Sequence, residues 1–391
     1  MLGTERSPTP LFLDSPDAVD RFLVSIGGVP AVAIDTEGAS FHRYVDRIYL
    51  LQISADQRHA IIDPLRVDSP GRLGAMLESP EVEVVFHDAD YDLRLLHQDY
   101  GWRVTNIFDT RVAAQLLGIK AFGLAALLEA FFNVRLDKKH QRADWSMRPL
   151  PPEMLDYAAQ DTMHLLQLRE QLRSALQKKG RWEWAREEFQ RLEGTRWENE
   201  DTRNAFLRLK GARELSRREL AVLRELVAWR DNVARQLDRS TFRVARNEVL
   251  FDLARRAPSG VEELERTKGL SRSMVTRFGG DILAALERGR TVPEDELPRF
   301  PKGLRWTRDA DYEDRVARLK TVRDRAAAEL ELDPGVLCPR ERLEAVARRK
   351  PQEVSELSEI AELRRWQIGV LGEGFIQSLR NGKTDDSPYR T

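Results

Sequence analysis

Ala31-Val32-Ala33-Ile34-Asp35-Thr36-Glu37 is the stretch on which the fold of this chain turns. Four consecutive apolar residues, two of them β-branched, predict a buried strand. Side chains alternate along a strand, so Asp35 and Glu37 point the same way and put two carboxylates on one face. A solvated strand end carries such a pair without consequence, and its meaning depends on what the rest of the chain brings to it.

Working outward, Ile48–Ile53, Ala60–Ile62 and Val82–Phe86 are further short runs rich in β-branched residues, bounded by turn or charged residues. Segments near 90–99, 109–117, 123–132 and 152–176 instead place apolar residues at three- and four-residue spacing, as in Leu155, Ala158, Ala159, Thr162, Leu165 and Leu166. Pro151-Pro152 marks the start of the last helix. A strand meander followed by helices predicts a mixed α/β sheet. From about residue 174 strand signals nearly vanish, and the second half is predicted to be all-helical. It contains a gapless repeat shifted by 93 residues: Arg230-Asp231 recurs as Arg323-Asp324, Ala254-Arg255-Arg256 as Ala347-Arg348-Arg349, Glu263-Leu264 as Glu356-Leu357 and Gly279 as Gly372. A match of that length predicts two copies of one small helical domain, joined by the Pro-rich stretch from Pro293 to Pro301.

The 391 residues are enough for two or three domains, and 41% hydrophobic with 32% charged residues is a globular balance. No apolar run approaches the ~18 residues of a membrane span. Cys338 is the only cysteine, which excludes a disulfide framework and a cysteine zinc site. Six scattered histidines argue against a histidine metal centre, so the expected metal is a hard cation held by carboxylates. Met1–Arg6 lacks the pattern of a secretory leader, and a cytoplasmic location is expected. The net charge of −1 hides a division. Residues 1–173 carry 18 basic against 25 acidic side chains, residues 215–292 carry 16 against 11, and residues 311–382 carry 13 against 14. A polyanionic partner would lie on the middle segment, and the acidic N-terminal part needs cations before it approaches a phosphate.

Two more acidic signals join the first pair. After Val82–Phe86 come Asp88, Asp90 and Asp92; the first two fit N-capping, whereas Asp92 lies inside the first helical turn and can face a cleft. Tyr157 and Asp161 then stand at i and i+4 on one helical face. Asp35, Glu37, Asp92 and Asp161 together supply four carboxylates, a set able to hold two divalent ions roughly 3.5–4 Å apart for in-line phosphoryl chemistry.

The order Asp-x-Glu, Asp, Tyr-x3-Asp resembles the exonuclease family with four acidic residues, in its tyrosine subclass. Phe108-Asp109-Thr110 through Leu116-Leu117-Gly118, and Gln141-Arg142-Ala143-Asp144-Trp145-Ser146-Met147-Arg148-Pro149-Leu150, resemble the ribonuclease D family more specifically. The likeness implies a ribonuclease-H-like α/β exonuclease domain, a mixed sheet with flanking helices, followed by two all-α helicase-and-RNase-D C-terminal (HRDC) domains. The expected divisions are 1–173 for the nuclease, 174–213 for a helical connector, 214–292 for the first HRDC domain, 293–309 for the linker, 310–382 for the second HRDC-like domain and 383–391 for a tail.

The resemblance further implies 3′–5′ hydrolysis of single-stranded RNA ends to nucleoside 5′-monophosphates, with two Mg2+ or Mn2+ ions. Asp35, Glu37 and Asp161 would hold the first ion; Asp35 and Asp92 would hold the second. Tyr157, with a reference pKa near 10, is a poor unaided base and is expected to orient the water. Thr36, Phe41, His42, Gln141, Arg142 and Arg148 are the expected substrate contacts, with Phe41 and His42 placed to stack on the terminal nucleotide and Arg142 and Arg148 in a structural or phosphate-contacting role near the cleft. Trp145 is expected to pack. Lys138, Lys139 and His140 make a basic segment inside an acidic domain, and for Lys138 and Lys139 a solvated loop is the simpler reading. Arg217, Arg218, Arg224, Arg230, Arg235, Arg239, Arg243 and Arg246 form either a phosphate-tracking surface or a solvated helix face. Expected partners are transfer RNA precursors and other small structured RNAs, with no membrane, and the expected state is a ring-like monomer. A DNA exonuclease and a non-catalytic RNA-binding protein are the alternatives, because two-metal chemistry acts on the phosphate and does not require a 2′-hydroxyl.

Overall fold

The computed structural model describes residues 10–137, 139–198, 202–301 and 311–381, and every structural statement below concerns these. Six strands, β1 (Leu11–Leu13), β2 (Ala31–Glu37), β3 (Leu50–Ala55), β4 (Arg58–Ile62), β5 (Glu83–Phe86) and β6 (Ile107–Asp109), form one sheet in the order β1-β4-β3-β2-β5-β6. β2, β3 and β4 pair antiparallel, while β1 with β4, β2 with β5 and β5 with β6 pair parallel. The sheet is therefore mixed, as expected. Strands and helices interleave, however, rather than following one another. The two strands the sequence does not announce, β1 and β6, have three residues each, too few to show a period.

β2 lies inside the sheet and is buried from both sides. Val32 and Ile34 belong to one core with Phe22, Leu93 and Leu96, and Ala33 belongs to the opposite core with Phe108, Leu168 and Leu172. Burial ends in an alternation: Asp35 and Glu37 are partly exposed, and Thr36 between them is buried. The helix expected over 152–176 breaks at His164 into Pro152–Met163 and Leu165–Lys178. The two halves serve different cores, the first packing Met154, Ala158 and Ala159 around Trp145, the second packing Leu165, Leu168, Leu172 and Leu176 around Phe108. Trp145 is 1% exposed, in keeping with a packing role.

The repeat is realised nearly residue for residue. Helices Thr241–Val244 and Asn247–Arg256 recur 93 residues later as Pro334–Leu337 and Arg340–Arg349, and helices starting at Arg272 and Arg365 close the two copies. Arg230 and Arg323 are both buried, and each donates to the carbonyl fifteen residues on, Ala245 O and Cys338 O, at 3.1 Å. Gly279 and Gly372 face the equivalent leucines, Leu264 and Leu357.

Arg230 is therefore a corrected expectation: it braces the interior and is no part of a phosphate-tracking surface. The expected division at 173/174 falls inside the helix Leu165–Lys178, and the connector helix Trp182–Leu192 packs Phe189 against Phe108, 4.8 Å between ring centroids. Lys138, the second half of the expected linker (302–309) and the tail lie outside the described residues. No helix among the described residues is long and apolar enough to cross a membrane.

Candidate active site

The exposed end of β2 delivers Asp35 and Glu37, and the helix Pro152–Met163 delivers Asp161 with Tyr157 one turn earlier. One carboxylate oxygen each of Asp35, Glu37 and Asp161 lies within 4.8 Å of the others. Asp92, from the first turn of the helix Asp90–Tyr100, stands beside this cluster. Its Oδ1 accepts from Thr36 N at 3.0 Å and from Thr36 Oγ1 at 2.5 Å.

Burial and mutual repulsion act together on this group. Desolvation first, and then the neighbouring carboxylates, hold Asp35, Glu37 and Asp92 well above the usual carboxylate range, and push Asp161 up to about 7. Four crowded carboxylates of this kind are poorly stable as anions without a cation between them. An all-oxygen donor set fits a hard divalent ion.

A cleft of about 660 Å³ opens on Asp35, Glu37, Tyr157 and Asp161, and Thr36, Phe41 and Gln141 also line it. Two other grooves are larger, about 830 and 890 Å³, yet among the described residues neither gathers three carboxylates so closely, so chemistry rather than size marks the site. Phe41 is 46% exposed, and the Arg142 guanidinium lies 5.5 Å from its ring centroid. Burial, then the carboxylates around it, raises the Tyr157 phenol above its ordinary value.

Thr36 lines the cleft and gives its amide and hydroxyl to Asp92 Oδ1. Two other expected contacts are placed differently. His42 does not line the cleft; its ring nitrogens meet Arg142 O at 3.0 Å and Arg243 Nη2 at 3.2 Å. Arg148 is committed to the buried Asp63, through Nε and Nη2 at 2.7 Å, and to the carbonyls of Tyr49, Trp145 and Met147, so it fastens the loop to the sheet instead of meeting substrate. Asp88 and Asp90 do not cap their helix either, because they pair with Arg111 and Arg94. Buried Asp109 takes that task for two segments at once, accepting from the amides of Asp88, Ala89, Arg111 and Val112. It stands 21 residues from Asp88, and only its position just before an amphipathic segment hinted at a cap.

The loop after β2 is gripped by the first helical copy. Tyr44 Oη donates to Asp231 Oδ1 at 2.9 Å, Arg43 pairs with Asp238 at 3.1 Å, and Ser240 Oγ and Arg243 Nε donate to Ser40 O and Phe41 O at 2.5 Å. Of the arginines named for that copy, Arg217, Arg218, Arg224 and Arg235 also have protein partners, whereas the Arg239 and Arg246 side chains have none among the described residues. Both line the 890 Å³ groove between this copy and His42, Arg43 and Asp144.

Known proteins place this architecture. The family model described as 3′-5′ exonuclease matches residues 12–177, and the HRDC domain model matches twice, at 219–286 and 313–379. The ribonuclease D of Gluconacetobacter diazotrophicus is 29% identical over 382 residues, covering 96% of this chain and 94% of that protein. The ribonuclease D of Escherichia coli is 31% identical over 284 residues, covering 72% of this chain and 76% of that protein. Its crystal structure, described as that of an exoribonuclease involved in structured RNA processing, matches with a TM-score of 0.73 at 25% identity over 96% of this chain and 99% of that one. A carboxylate cluster at the end of a central strand, two HRDC copies behind it and relatives of this extent lead to one conclusion: the chain belongs to the ribonuclease D family of metal-dependent 3′–5′ exoribonucleases.

Proposed function

We propose that the protein trims single-stranded 3′ ends of structured RNAs, transfer RNA precursors among them, to nucleoside 5′-monophosphates, acting as a cytoplasmic monomer with two Mg2+ or Mn2+ ions. The observation that carries this reading is the cluster of Asp35, Glu37 and Asp161, three carboxylates within 4.8 Å whose burial and repulsion call for a cation. Asp35, Glu37 and Asp161 would hold one ion, and Asp35 with Asp92 the other. Ions bound there supply an acidified water and neutralise charge on the attacked phosphate and the leaving 3′ oxygen.

The chain's own groups do the rest. Thr36 fixes the Asp92 carboxylate by two hydrogen bonds to Oδ1. The Tyr157 phenol, raised above its ordinary value, keeps its proton at neutral pH and orients the attacking water by donating to it. Phe41, exposed at the cleft with Arg142 over its ring, offers a stacking face to the terminal base, and Gln141 lines the same wall. Upstream phosphates follow the groove of Arg239 and Arg246. In this reading residues 1–173 carry the chemistry, 214–292 grip the strand and 310–382 brace the nuclease.

The test is a time course on a stable RNA hairpin with a 3′ tail, and on its DNA counterpart, in Mg2+, Mn2+ or EDTA. Stepwise shortening of the RNA tail, slowing at the stem and abolished by EDTA, is expected. Equal rates on DNA overturn the substrate reading, and internal cuts overturn the exonucleolytic one.

A further inference from the structure

His87 lines the cleft of the carboxylates, and nothing in the chemistry above uses it. It follows β5, and its ring is fixed from behind: Nδ1 lies 2.9 Å from Oγ1 of Thr110, a side chain with no solvent exposure. The Thr110 hydroxyl has a single hydrogen, which it gives to Phe86 O at 3.0 Å. Toward the imidazole it therefore accepts, so Nδ1 carries the ring proton and Nε2 is a bare acceptor. Burial pushes the imidazole down to about 4, which keeps the ring neutral at physiological pH. Nε2 has no hydrogen-bond partner among the described residues.

The turn that presents the ring is built with some care. Asp88 takes a left-handed φ of 70°, uncommon outside glycine. The buried Asp109 carboxylate holds that turn by the Asp88 and Ala89 amides, and Arg111 pairs with the Asp88 side chain. His87 does not join the group of metal-ligating oxygens around Asp35, so its free nitrogen is left for substrate.

A lone-pair acceptor repels phosphate oxygens and calls for a donor. On a terminal nucleotide the donors are base N–H groups, whose positions differ from base to base, and ribose hydroxyls, which every ribonucleotide shares. An enzyme that steps through mixed sequence needs the constant group. We propose that His87 Nε2 accepts a hydrogen bond from a hydroxyl of the 3′-terminal ribose and is a specificity-determining residue of this site. The inference rests on the proposed seating of the 3′ end at the carboxylates.

The experiment measures kcat/KM of the full chain on RNAs ending in a ribose, a 2′-deoxyribose or a 3′-deoxyribose, for wild type, His87→Phe and His87→Gln. Wild type is expected to lose about tenfold on one of the two deoxy ends, the size of a single hydrogen bond to a positioned hydroxyl. His87→Phe is expected to lose a similar factor on the ribose end and to become indifferent to that deoxy change. His87→Gln, whose amide oxygen accepts, is expected to recover part of the discrimination. The 2′ and 3′ arms identify which hydroxyl is bound. Equal slowing of His87→Phe on all three substrates, or no slowing, overturns the ribose contact and leaves the exonuclease reading standing. Wild type that does not shorten RNA overturns both.

Discussion

The two copies of the helical repeat meet the nuclease domain with the same corner and with opposite chemistry. In the first copy the corner is Asp238, in a left-handed turn, holding Arg43 and the Tyr44 amide at the rim of the cleft. Its equivalent 93 residues on is Glu331, also left-handed, whose carbonyl presses so close to Gly118 that no side chain fits there. Around the first corner the contacts are polar and the core of the copy takes in only Tyr44 from the loop. Around the second, Trp366 stacks on Trp184 at 4.8 Å, Arg364 pairs with Glu188 at 3.1 Å, and the apolar core runs without a break into that of the nuclease. The position equivalent to Trp366 in the first copy is the exposed Ser273, and those equivalent to the free Arg239 and Arg246 in the second are Leu332 and Pro339. One repeat has thus become a polar clamp on the loop after β2, and the other an apolar brace of the nuclease core.

The site that the clamp borders gives the largest expected effect and sets the scale. Asp161→Asn should cut turnover by about a thousandfold, since a few kcal/mol of charge stabilisation are lost. The same change should stabilise the metal-free protein at pH 8. With a folded pKa near 7 against an ordinary 3.8, Asp161 contributes stability that is full below about pH 4 and lost as pH rises through about 7. Metal-free wild type should therefore melt lower at pH 8 than at pH 5, the variant should show a smaller fall, and Mg2+ should raise the melting temperature of wild type more than that of the variant.

Trp366→Ala should cost about 3 kcal/mol or more and lower the melting temperature by several degrees, with kcat/KM at 20 °C unchanged. A loss of activity without a loss of stability would mean that the second copy serves the cleft. Arg239→Ala with Arg246→Ala should do the reverse: KM rising by about tenfold at low salt, kcat and melting temperature unchanged, and the salt slope of binding shallower by about 1.4 for two lost phosphate contacts to a single strand. The smallest effect is expected from Tyr44→Phe, about 1 kcal/mol for the hydrogen bonds to Asp231 and Arg235, measured by denaturant unfolding.

The parts of this picture that sequence revealed are those with a period. Asp35 and Glu37 share a face because a strand alternates, Tyr157 and Asp161 because a helix turns in four, and the two copies because a shift of 93 needs no gap. What it hid depends on distance. Arg148 meets Asp63 across 85 residues, Asp109 reaches Asp88 across 21, and neither pairing leaves a local pattern. Arg230 resembled its exposed neighbours in type, yet its recurrence as Arg323, in a copy that had lost the basic balance, was a sign of a structural duty. The role inferred for His87 left no local pattern, because its ring is held by Thr110, a residue 23 positions away.

The most direct test of the account is a Mn2+ titration, read by the free-ion resonance signal, of wild type and Asp35→Asn at pH 8 in the presence of a non-hydrolysable RNA 3′ end. Two ions bound per wild-type chain, and at most one weakly bound in Asp35→Asn, is the predicted result. Equal binding by the two proteins would contradict it and place the metal chemistry away from β2.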